Sequence, residues 1–341
     1  MSLKPLILIF LMSFIGFCSK EKTQSPILFG FAIEGFPVTT QSLIEQSRET
    51  KVVPQLTLFY LQWNREPGQG KLLLESFQAI WDIGSVPCLS WEPMQIKDGK
   101  EYTIFYQEIL NGAYDSYIDE MADAIAAWKK RVIIRFAHEM NLKRYHWGDI
   151  YQEEFDKNSP EIYKEMYRYV VDRFREKNVT NTLWAFCPNV DSVPADGWNT
   201  ATQYYPGDNY VDILGMDGYN WNISEKLAEE ERISWSRPWQ SFEELFKPLY
   251  TELKALAPHK PIVVFETASV DREPGDKITW LKEGLATAKK WGLSAIIWFP
   301  YNKEEDWRLN QFNDYTYKEI LLDNFPSYLW LNTLQIDSQK D

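Results

Sequence analysis

Two patterns of apolar and polar residues take turns along the chain. Short runs rich in apolar and β-branched residues, typical of strands buried on both faces, alternate with longer stretches in which apolar residues recur at helical spacing. The predicted strands are Ile27–Gly35, Val52–Trp63, Val86–Pro93, Arg131–Met140, Thr182–Asn189, Val211–Asn220, Pro261–Ser269 and Leu293–Asn302. The predicted helices are Leu72–Trp81, Tyr114–Trp128, Ile162–Lys177, Phe242–Ala257, Lys277–Trp291 and Tyr317–Leu322.

The alternation of eight predicted strands with helices determines the expected fold class. It predicts an α/β protein folded as a single (β/α)8 barrel, the TIM barrel. The 341 residues are sufficient, because such a barrel commonly needs about 250 residues in one domain. A doubly wound open sheet is the alternative, and it is less favoured because no glycine-rich phosphate-binding turn follows the first predicted strand.

Polar and aromatic residues gather where the predicted strands end. They include Trp63, Trp91, Glu92, His138, Glu139, Asn189, Asp217, Tyr219, Glu266 and Trp298. In a barrel these strand ends form one rim, the place where active sites are built. Long segments after three of the strands, 94–111, 141–160 and 221–240, are expected to wall a groove there. Glu92 has two interpretations that stay open, contact with a substrate or pairing with Arg135.

Two of these rim residues are glutamates that follow apolar strands. The run Arg131–Ala137 leads towards Glu139, and the run Pro261–Phe265 leads into Glu266. Burying a carboxylate costs free energy unless the group is paired or used. A salt-bridged structural role is the alternative for Glu139 taken alone. Two strands of the same kind, far apart in sequence, predict instead that two carboxylates meet above one barrel.

A pair of carboxyl groups at a barrel mouth has the chemistry needed to hydrolyse a glycosidic bond. One carboxyl must be protonated to donate to the leaving oxygen, and the other must be ionised to attack or to activate water. We expect His138 to form a hydrogen bond within the site and the Tyr219 hydroxyl to orient Glu266. The residues alone do not assign the two roles.

The composition of the chain limits the classes of binding partner that we expect. The formal net charge of −13 would repel a phosphate backbone, so nucleic acid is not an expected partner. Aromatic residues make up 16% of the chain, and flat aromatic faces are also suited to holding sugar rings. Trp63, Trp91 and Trp298 are therefore expected in the groove, while Trp128 and Trp291 are expected to pack. The chain has only three histidines and no zinc-ligand spacing, so no metal or cofactor is expected.

The N-terminus has the pattern of an export signal. Lys4 supplies a positive charge, and residues 5–17 form an apolar run that is too short for a comfortable membrane span. The run stops at Cys18, which resembles the lipidated cysteine of a bacterial lipoprotein signal. We therefore expect export and a lipid anchor on the bacterial cell envelope, with no other membrane contact. An ordinary cleaved signal, giving a periplasmic or secreted protein, is the alternative.

The chain divides accordingly into four parts. Residues 1–18 are the predicted lipoprotein-type signal peptide, 19–26 a tether, 27–325 the catalytic (β/α)8 domain and 326–341 a C-terminal tail. A monomer is expected. The remaining cysteines, Cys88 and Cys187, lie in apolar strands, and we expect both to be buried free thiols.

Several short motifs together resemble a known enzyme family. His138-Glu139-Met140-Asn141, followed by Tyr145, Trp147 and Gly148, resembles the fourth-strand motif of family-26 glycoside hydrolases, the β-mannanase-like group. The resemblance extends in order along the chain through Leu89–Pro93, Asn111–Asp115, Tyr205–Asp208, Val211–Asn220, Phe265-Glu266 and Ile297-Trp298. It implies a retaining (β/α)8 glycosidase that works by double displacement, with Glu139 as acid/base and Glu266 as nucleophile.

The resemblance also implies the substrate and its contacts. The substrate would be a β-linked polysaccharide or oligosaccharide, mannan-type first, with β-glucan or xylan as alternatives. Its predicted contacts are His138, Trp147, Tyr219 and Trp298, together with Trp91 and Arg144. The chain departs from the family pattern at Leu142, Arg144 and His146, where relatives commonly have Gly, Trp and Pro. An exported lipoprotein that binds glycan without turnover is the alternative function, disfavoured because both glutamates are present.

Overall fold

The computed structural model describes residues 27–50, 52–64, 67–147, 159–223 and 237–309, and also Ile320. The predicted signal peptide with Cys18, the tether and the C-terminal tail lie outside these residues, as does the predicted helix at 317–322 apart from Ile320. In chain order the strands are β1 Leu28–Ile33, β2 Leu56–Gln62, β3 Val86–Glu92, β4 Met94–Lys97, β5 Lys100–Thr103, β6 Val132–Phe136, β7 Thr182–Phe186, β8 Ile213–Asn220, β9 Ile262–Ser269 and β10 Ala295–Trp298.

Eight of these strands close into a parallel barrel in the order β1-β10-β9-β8-β7-β6-β3-β2. The eight predicted strands and the (β/α)8 fold class are confirmed. Their carboxyl ends meet at one mouth, and β6 lies diametrically opposite β10 because three strands separate them in both directions around the ring. The remaining two strands, β4 and β5, form an antiparallel hairpin outside the barrel. The pattern of apolar residues does not predict this hairpin.

The helices of the described residues are α1 Thr40–Thr50, α2 Gln69–Asp82, α3 Tyr106–Leu110, α4 Asp115–Trp128, α5 Ser159–Glu176, α6 Ala201–Tyr204, α7 Phe242–Leu256 and α8 Lys277–Trp291. Five of them agree with predicted helices. The long helix that was missed, α1, buries Gln46, Ser47 and Thr50 beside Leu43. Polar side chains thus occupy its inner face, which hides the apolar periodicity that would have indicated a helix.

Helix ends follow the sequence where capping residues are present. Ser241 caps α7, since its Oγ accepts from the Glu244 backbone N–H at 3.2 Å while Glu244 Oε2 accepts from the Ser241 N–H at 2.8 Å. This reciprocal pair is a capping box and confirms the predicted start of the helix. Cys88 and Cys187 are buried and free, as predicted. Within the described part of the chain, no helix combines the length and apolarity needed to cross a membrane.

Candidate active site

A cleft of about 420 Å³ opens at the carboxyl ends of the barrel strands. Its volume is in the range of small-ligand sites. Glu139 and Glu266 both line it, together with side chains from the loops after β1, β6, β7, β8 and β10. The structure therefore brings together the two glutamates that the sequence places at separate strand ends.

Glu266 lies within β9 and is held by three donors. Its Oε1 accepts from the Tyr60 hydroxyl at 2.9 Å and from the Arg135 guanidinium, and its Oε2 accepts from the Tyr219 hydroxyl at 2.6 Å. The expected contact with Tyr219 is confirmed. Burial alone would raise the pKa of Glu266, but the positive charge of Arg135 and these hydrogen bonds outweigh it and hold the pKa below its ordinary value. Glu266 is therefore a carboxylate at neutral pH.

Arg135 is a fully buried cation between two carboxylates. It extends from β6 and forms ion pairs with Asp217, at 2.6 Å, and with Glu266, and its Nε and Nη2 donate to Ser90 Oγ. Burial would lower the pKa of Arg135, but the two carboxylates raise it well above the ordinary value. The nearest donor atoms of His138, Asp217 and Glu266 lie within 4.8 Å of one another, a set that could ligate a metal. Arg135 already supplies the cation that these two carboxylates need.

Glu139 sits on an unusual backbone. The chain leaves β6 with Ala137 at φ 47° and Glu139 at φ 52°, in the left-handed region that is strained for residues with a side chain. The Glu139 N–H donates to the Cys187 carbonyl at 2.8 Å, which fixes this turn against the end of β7. As a result the carboxyl group points into the cleft, where Asn189 Nδ2 donates to Oε1 at 2.5 Å.

Asn141 ties the loops that carry this arrangement. Its Nδ2 donates to the carbonyls of Asn189 and Asp191, at 2.9 and 2.6 Å, and its Oδ1 accepts from the Asn189 N–H at 2.9 Å. The loop after β6 is thereby fixed to the loop after β7. The fourth residue of the His-Glu-Met-Asn motif thus positions Asn189 against Glu139.

The two glutamates have opposite protonation tendencies. Burial, and then the negative charge of Glu266, raise the pKa of Glu139 to about 7, although Asn189, Arg144 and Arg135 act in the other direction. Near neutral pH Glu139 is therefore still partly protonated, whereas Glu266 is ionised. Such a pair can donate a proton to a leaving oxygen and present a nucleophilic carboxylate in the same site.

Four predicted substrate contacts require correction. Trp91, Trp147, Trp298 and His138 are completely buried and lie outside the lining of the cleft. Neighbouring residues on a strand point to opposite faces. At the ends of β3 and β10 it is therefore Glu92 and Phe299 that face the cleft, while the tryptophan before each faces the helices. Trp63, also expected in the groove, is buried as well.

The buried tryptophans and His138 support the lining from behind. Trp147 Nε1 donates to the His138 carbonyl at 2.6 Å, and the Trp147 ring stacks on Tyr145 with centroids 4.6 Å apart. Trp298 Nε1 donates to the Trp307 carbonyl at 2.8 Å. Tyr145 and Trp307 both line the cleft. Burial, and then the charges of Arg135 and Arg144, keep the pKa of His138 well below its ordinary value, so this ring is neutral.

The aromatic residues that line the cleft were mostly not predicted. They are Phe36, Tyr60, Tyr145, Tyr219, Trp221, Phe299 and Trp307, of which only Tyr219 was expected to contact substrate. Tyr60 had a usable sequence signal, because it alternates with Leu61 along β2. Trp307 had none, since it lies in an irregular segment after β10.

The three departures from the family pattern have separate explanations. Leu142 and Arg144 line the cleft. His146 instead anchors the β4–β5 hairpin, with Nδ1 2.9 Å from Thr103 Oγ and Nε2 2.9 Å from Glu101 Oε2. Gly148 of the motif lies outside the described residues.

Glu92 is a third carboxyl in the cleft. Its Oε2 accepts from Gln62 Nε2 at 2.5 Å, and burial raises its pKa to about 7. The ion pairs of Arg135 go to Asp217 and Glu266. Of the two interpretations left open by the sequence, lining the cleft is the one that the geometry supports.

Comparison with known proteins is consistent with this site. A model of the family described as glycosyl hydrolase family 26 matches residues 23–231. The chain is 35% identical over 237 residues to endoglucanase H of Acetivibrio thermocellus. The aligned region covers 68% of this chain and 23% of that protein. It is 33% identical over 189 residues to a mannan endo-1,4-beta-mannosidase of Bifidobacterium adolescentis, covering 47% of this chain and 17% of that protein.

These curated relatives are much longer proteins, and the chain spans less than a quarter of either. A solved structure, the catalytic domain of a GH26 endo-beta-1,4-mannanase from Bacillus sp. JAMB-750, superposes with a TM-score of 0.62 at 21% identity. The superposition covers 91% of this chain and 88% of that one. At this level of identity the likeness concerns the fold.

Proposed function

The chain belongs to glycosyl hydrolase family 26, and from that premise we propose that it hydrolyses β-linked glycans with retention of anomeric configuration. The observation that carries the proposal is the pair of cleft glutamates with opposite protonation tendencies, Glu266 ionised and Glu139 with a pKa of about 7. A structural salt bridge would not need the second of these groups to be protonated. Acid-assisted cleavage does need it.

In the first step Glu266 is the nucleophile. Its carboxylate oxygen attacks the anomeric carbon and forms a glycosyl ester, while the bond from that carbon to the leaving oxygen breaks. Glu139 gives its proton to the leaving oxygen, so that an alcohol departs rather than an alkoxide. Tyr60 and Tyr219 donate to Glu266, and they keep the carboxylate aligned until attack.

In the second step Glu139 is the base. Now ionised, it takes a proton from a water molecule whose oxygen attacks the anomeric carbon, and the bond to Glu266 breaks. Glu266 leaves as a carboxylate and Glu139 is again protonated. Two displacements at one carbon restore the original configuration.

For the substrate we propose a β-glucan or a β-mannan and place β-glucan first. The family resemblance in the sequence favours mannan first. Two observations change the order: the match of 35% identity over 237 residues is to a protein named endoglucanase, and Arg144 lines the cleft where family members commonly carry a tryptophan platform. A guanidinium offers five donors to hydroxyl groups and no broad apolar face.

Binding without turnover is the competing function. It would require a glycan groove but neither a protonated Glu139 nor a Glu266 held by three donors. We also propose, from the sequence alone, that the chain is exported, is anchored through Cys18 and acts as a monomer.

Release of reducing sugar tests the proposed function directly. We expect the purified protein to release reducing ends from lichenan or another β-glucan or from mannan, within a panel that also contains xylan and laminarin. Proton NMR taken early in the reaction should show the β-anomer of the product first, before mutarotation. Inversion would refute double displacement.

A wild-type protein that binds members of this panel but releases nothing from any of them would support the binding function instead. Isothermal titration with the same polymers measures that binding independently of turnover. The two functions are therefore separated by one set of substrates.

The activity should depend on pH in a way that reports the two carboxyls. Glycosylation needs Glu139 protonated and Glu266 ionised, so kcat/KM should fall as the pH rises through about 7, the pKa of Glu139. It should fall again at acid pH only below the ordinary carboxyl range, because the pKa of Glu266 is lowered. Initial rates on a soluble oligosaccharide between pH 3 and 9, roughly the range that spans ordinary and perturbed carboxyl values, measure both limbs.

Glu92 provides the control for that profile, because its pKa is also raised to about 7. Glu92→Gln keeps a hydrogen-bonding side chain of the same shape and cannot titrate. The alkaline limb should stay in place in this variant. If the limb disappears in Glu92→Gln, its assignment to Glu139 is wrong.

A further inference from the structure

Two consecutive residues after β10 form ion pairs with two different loops of the cleft. Lys303 Nζ lies 2.6 Å from Glu34 Oε1, in the loop after β1. Glu304 Oε1 lies 3.2 Å from Arg144 Nη2, in the loop after β6. All four side chains line the cleft. We call Lys303 and Glu304 the strap.

The second of these ion pairs crosses the mouth of the barrel. Arg144 follows β6 and Glu304 follows β10, and these strands are diametrically opposite in the ring. Arg144 and Glu139 line the same cleft, and the positive charge of Arg144 acts to lower the pKa of Glu139. The bridge therefore passes near the glutamate pair and joins opposite rims.

The backbone beyond the strap is firmly anchored. Glu305 is buried and pairs with Arg272 at 2.6 Å. The buried Lys277 donates to the carbonyls of Asp306 and Arg308, at 2.7 and 2.8 Å. The strap backbone is thus held in place. Opening of the bridge would therefore involve the side chains of Arg144 and Glu304, which are 38% and 30% exposed.

We infer that the strap selects glycans by length, admitting chain ends and short oligosaccharides with the Arg144–Glu304 bridge closed and internal chain segments only when it opens. The inference deepens the proposed function and rests on it. An internal segment has neighbouring sugars on both sides and cannot be threaded under a bridge that joins opposite rims. A chain end or a short oligosaccharide can enter the bounded cleft from one side.

The bridge is a weak gate rather than a block. A partly exposed ion pair contributes little, so opening it should reduce affinity by only about twofold to fivefold. Because salt screens exposed charges, the gate should weaken as ionic strength rises. The bridge should therefore change the affinity for polymers relative to short oligosaccharides and leave the affinity for short oligosaccharides unchanged.

The test compares a polymer with an oligosaccharide from the same glycan in Glu304→Gln. The substitution keeps the size of the side chain and removes the ion pair. We expect the ratio of polymer affinity to oligosaccharide affinity to rise about twofold to fivefold. Tryptophan fluorescence titration provides this ratio, because Trp221 and Trp307 line the cleft, and it requires no turnover. The corresponding kcat/KM ratio should rise with it.

A matched control uses an ion pair far from the cleft. Glu243 on α7 pairs with Lys290 on α8 at 3.1 Å, and Glu243→Gln should leave the ratio unchanged. Added salt should raise the wild-type ratio towards that of Glu304→Gln and should have no such effect in the variant.

The possible results distinguish a failure of the proposed strap from a failure of the proposed hydrolase function. An unchanged ratio in Glu304→Gln, in a protein that hydrolyses both substrates, overturns the strap and leaves the function standing. A changed ratio in binding but no hydrolysis by the wild type supports the strap in a glycan-binding protein and refutes turnover. Binding of neither substrate refutes both.

Discussion

Replacing Glu266 by alanine is expected to lower kcat at least about a thousandfold, because no glycosyl ester can form without its carboxylate. The loss should be equally large on aryl glycosides with good leaving groups, since the step that is lost does not depend on leaving-group protonation. Arg135 loses one of its two carboxylate partners in this variant but keeps Asp217 at 2.6 Å. We therefore expect the variant to fold.

Azide is the diagnostic reagent for Glu266→Ala. A small anion can occupy the space of the missing carboxylate and attack the anomeric carbon directly, so azide should restore turnover and give a glycosyl azide of inverted configuration. Circular dichroism checks that the barrel is intact. Rescue with retained configuration, or activity that survives the substitution, would contradict the nucleophile assignment.

Replacing Glu139 by alanine is expected to lower kcat on natural glycans by about 10²- to 10⁴-fold, the usual contribution of general acid–base catalysis. Activated aryl glycosides should behave differently from natural glycans. Their leaving groups need no proton, so the first step should proceed and the second should stall for want of a base. A burst of phenol followed by slow turnover is the expected time course.

Intact mass spectrometry provides the second measurement on Glu139→Ala. The stalled species should appear as protein heavier by one glycosyl unit, and fragmentation should place that unit on Glu266. Azide should release it with retained configuration. If the Glu139 and Glu266 variants behave alike in burst, mass and azide product, the roles proposed for the two residues are wrong.

The barrel strands were predictable because each is a short apolar run followed by a polar segment that marks its end. The omissions also have physical causes. In α1 the buried side of the helix carries Gln46 and Thr50, and Gln46 is retained there by a hydrogen bond to the Ala32 carbonyl at 2.5 Å. Local periodicity cannot show a polar residue whose partner lies on another element.

The sequence identified the strand ends that form the candidate site. At two of them the residue that faces the cleft is the one next to the residue predicted. Glu139 and Glu266 were found because carboxylates after buried strands are costly unless they are used. Trp91 and Trp298 were assigned to the cleft wrongly, because the rim position of a residue does not state which face it points to. Fixing the alternation on each strand from its neighbours would have selected Glu92 and Phe299 instead.

The different protonation states of the two glutamates depend on contacts between residues far apart in the chain. A local sequence pattern does not show such contacts. Tyr60 and Arg135 reach Glu266 from 206 and 131 residues away in the chain. These contacts lower the pKa of Glu266, while burial and the charge of Glu266 raise the pKa of Glu139 to about 7. From the residues alone the roles were open, and the family resemblance supplied them.

The sharing of Arg135 between Asp217 and Glu266 has a consequence for the proposed cycle. Glu266 is ionised in the free protein, and its negative charge is one source of the raised Glu139 pKa. When Glu266 becomes an ester this negative charge disappears, while Arg135 keeps its contact with Asp217 at 2.6 Å. Loss of that charge lowers the pKa of Glu139, which has just given its proton to the leaving oxygen and must remain a carboxylate to act as the base of the second step. The ester form of Glu266 thus favours ionised Glu139 for the second step. Release of Glu266 as a carboxylate raises the pKa of Glu139 again for the next cycle.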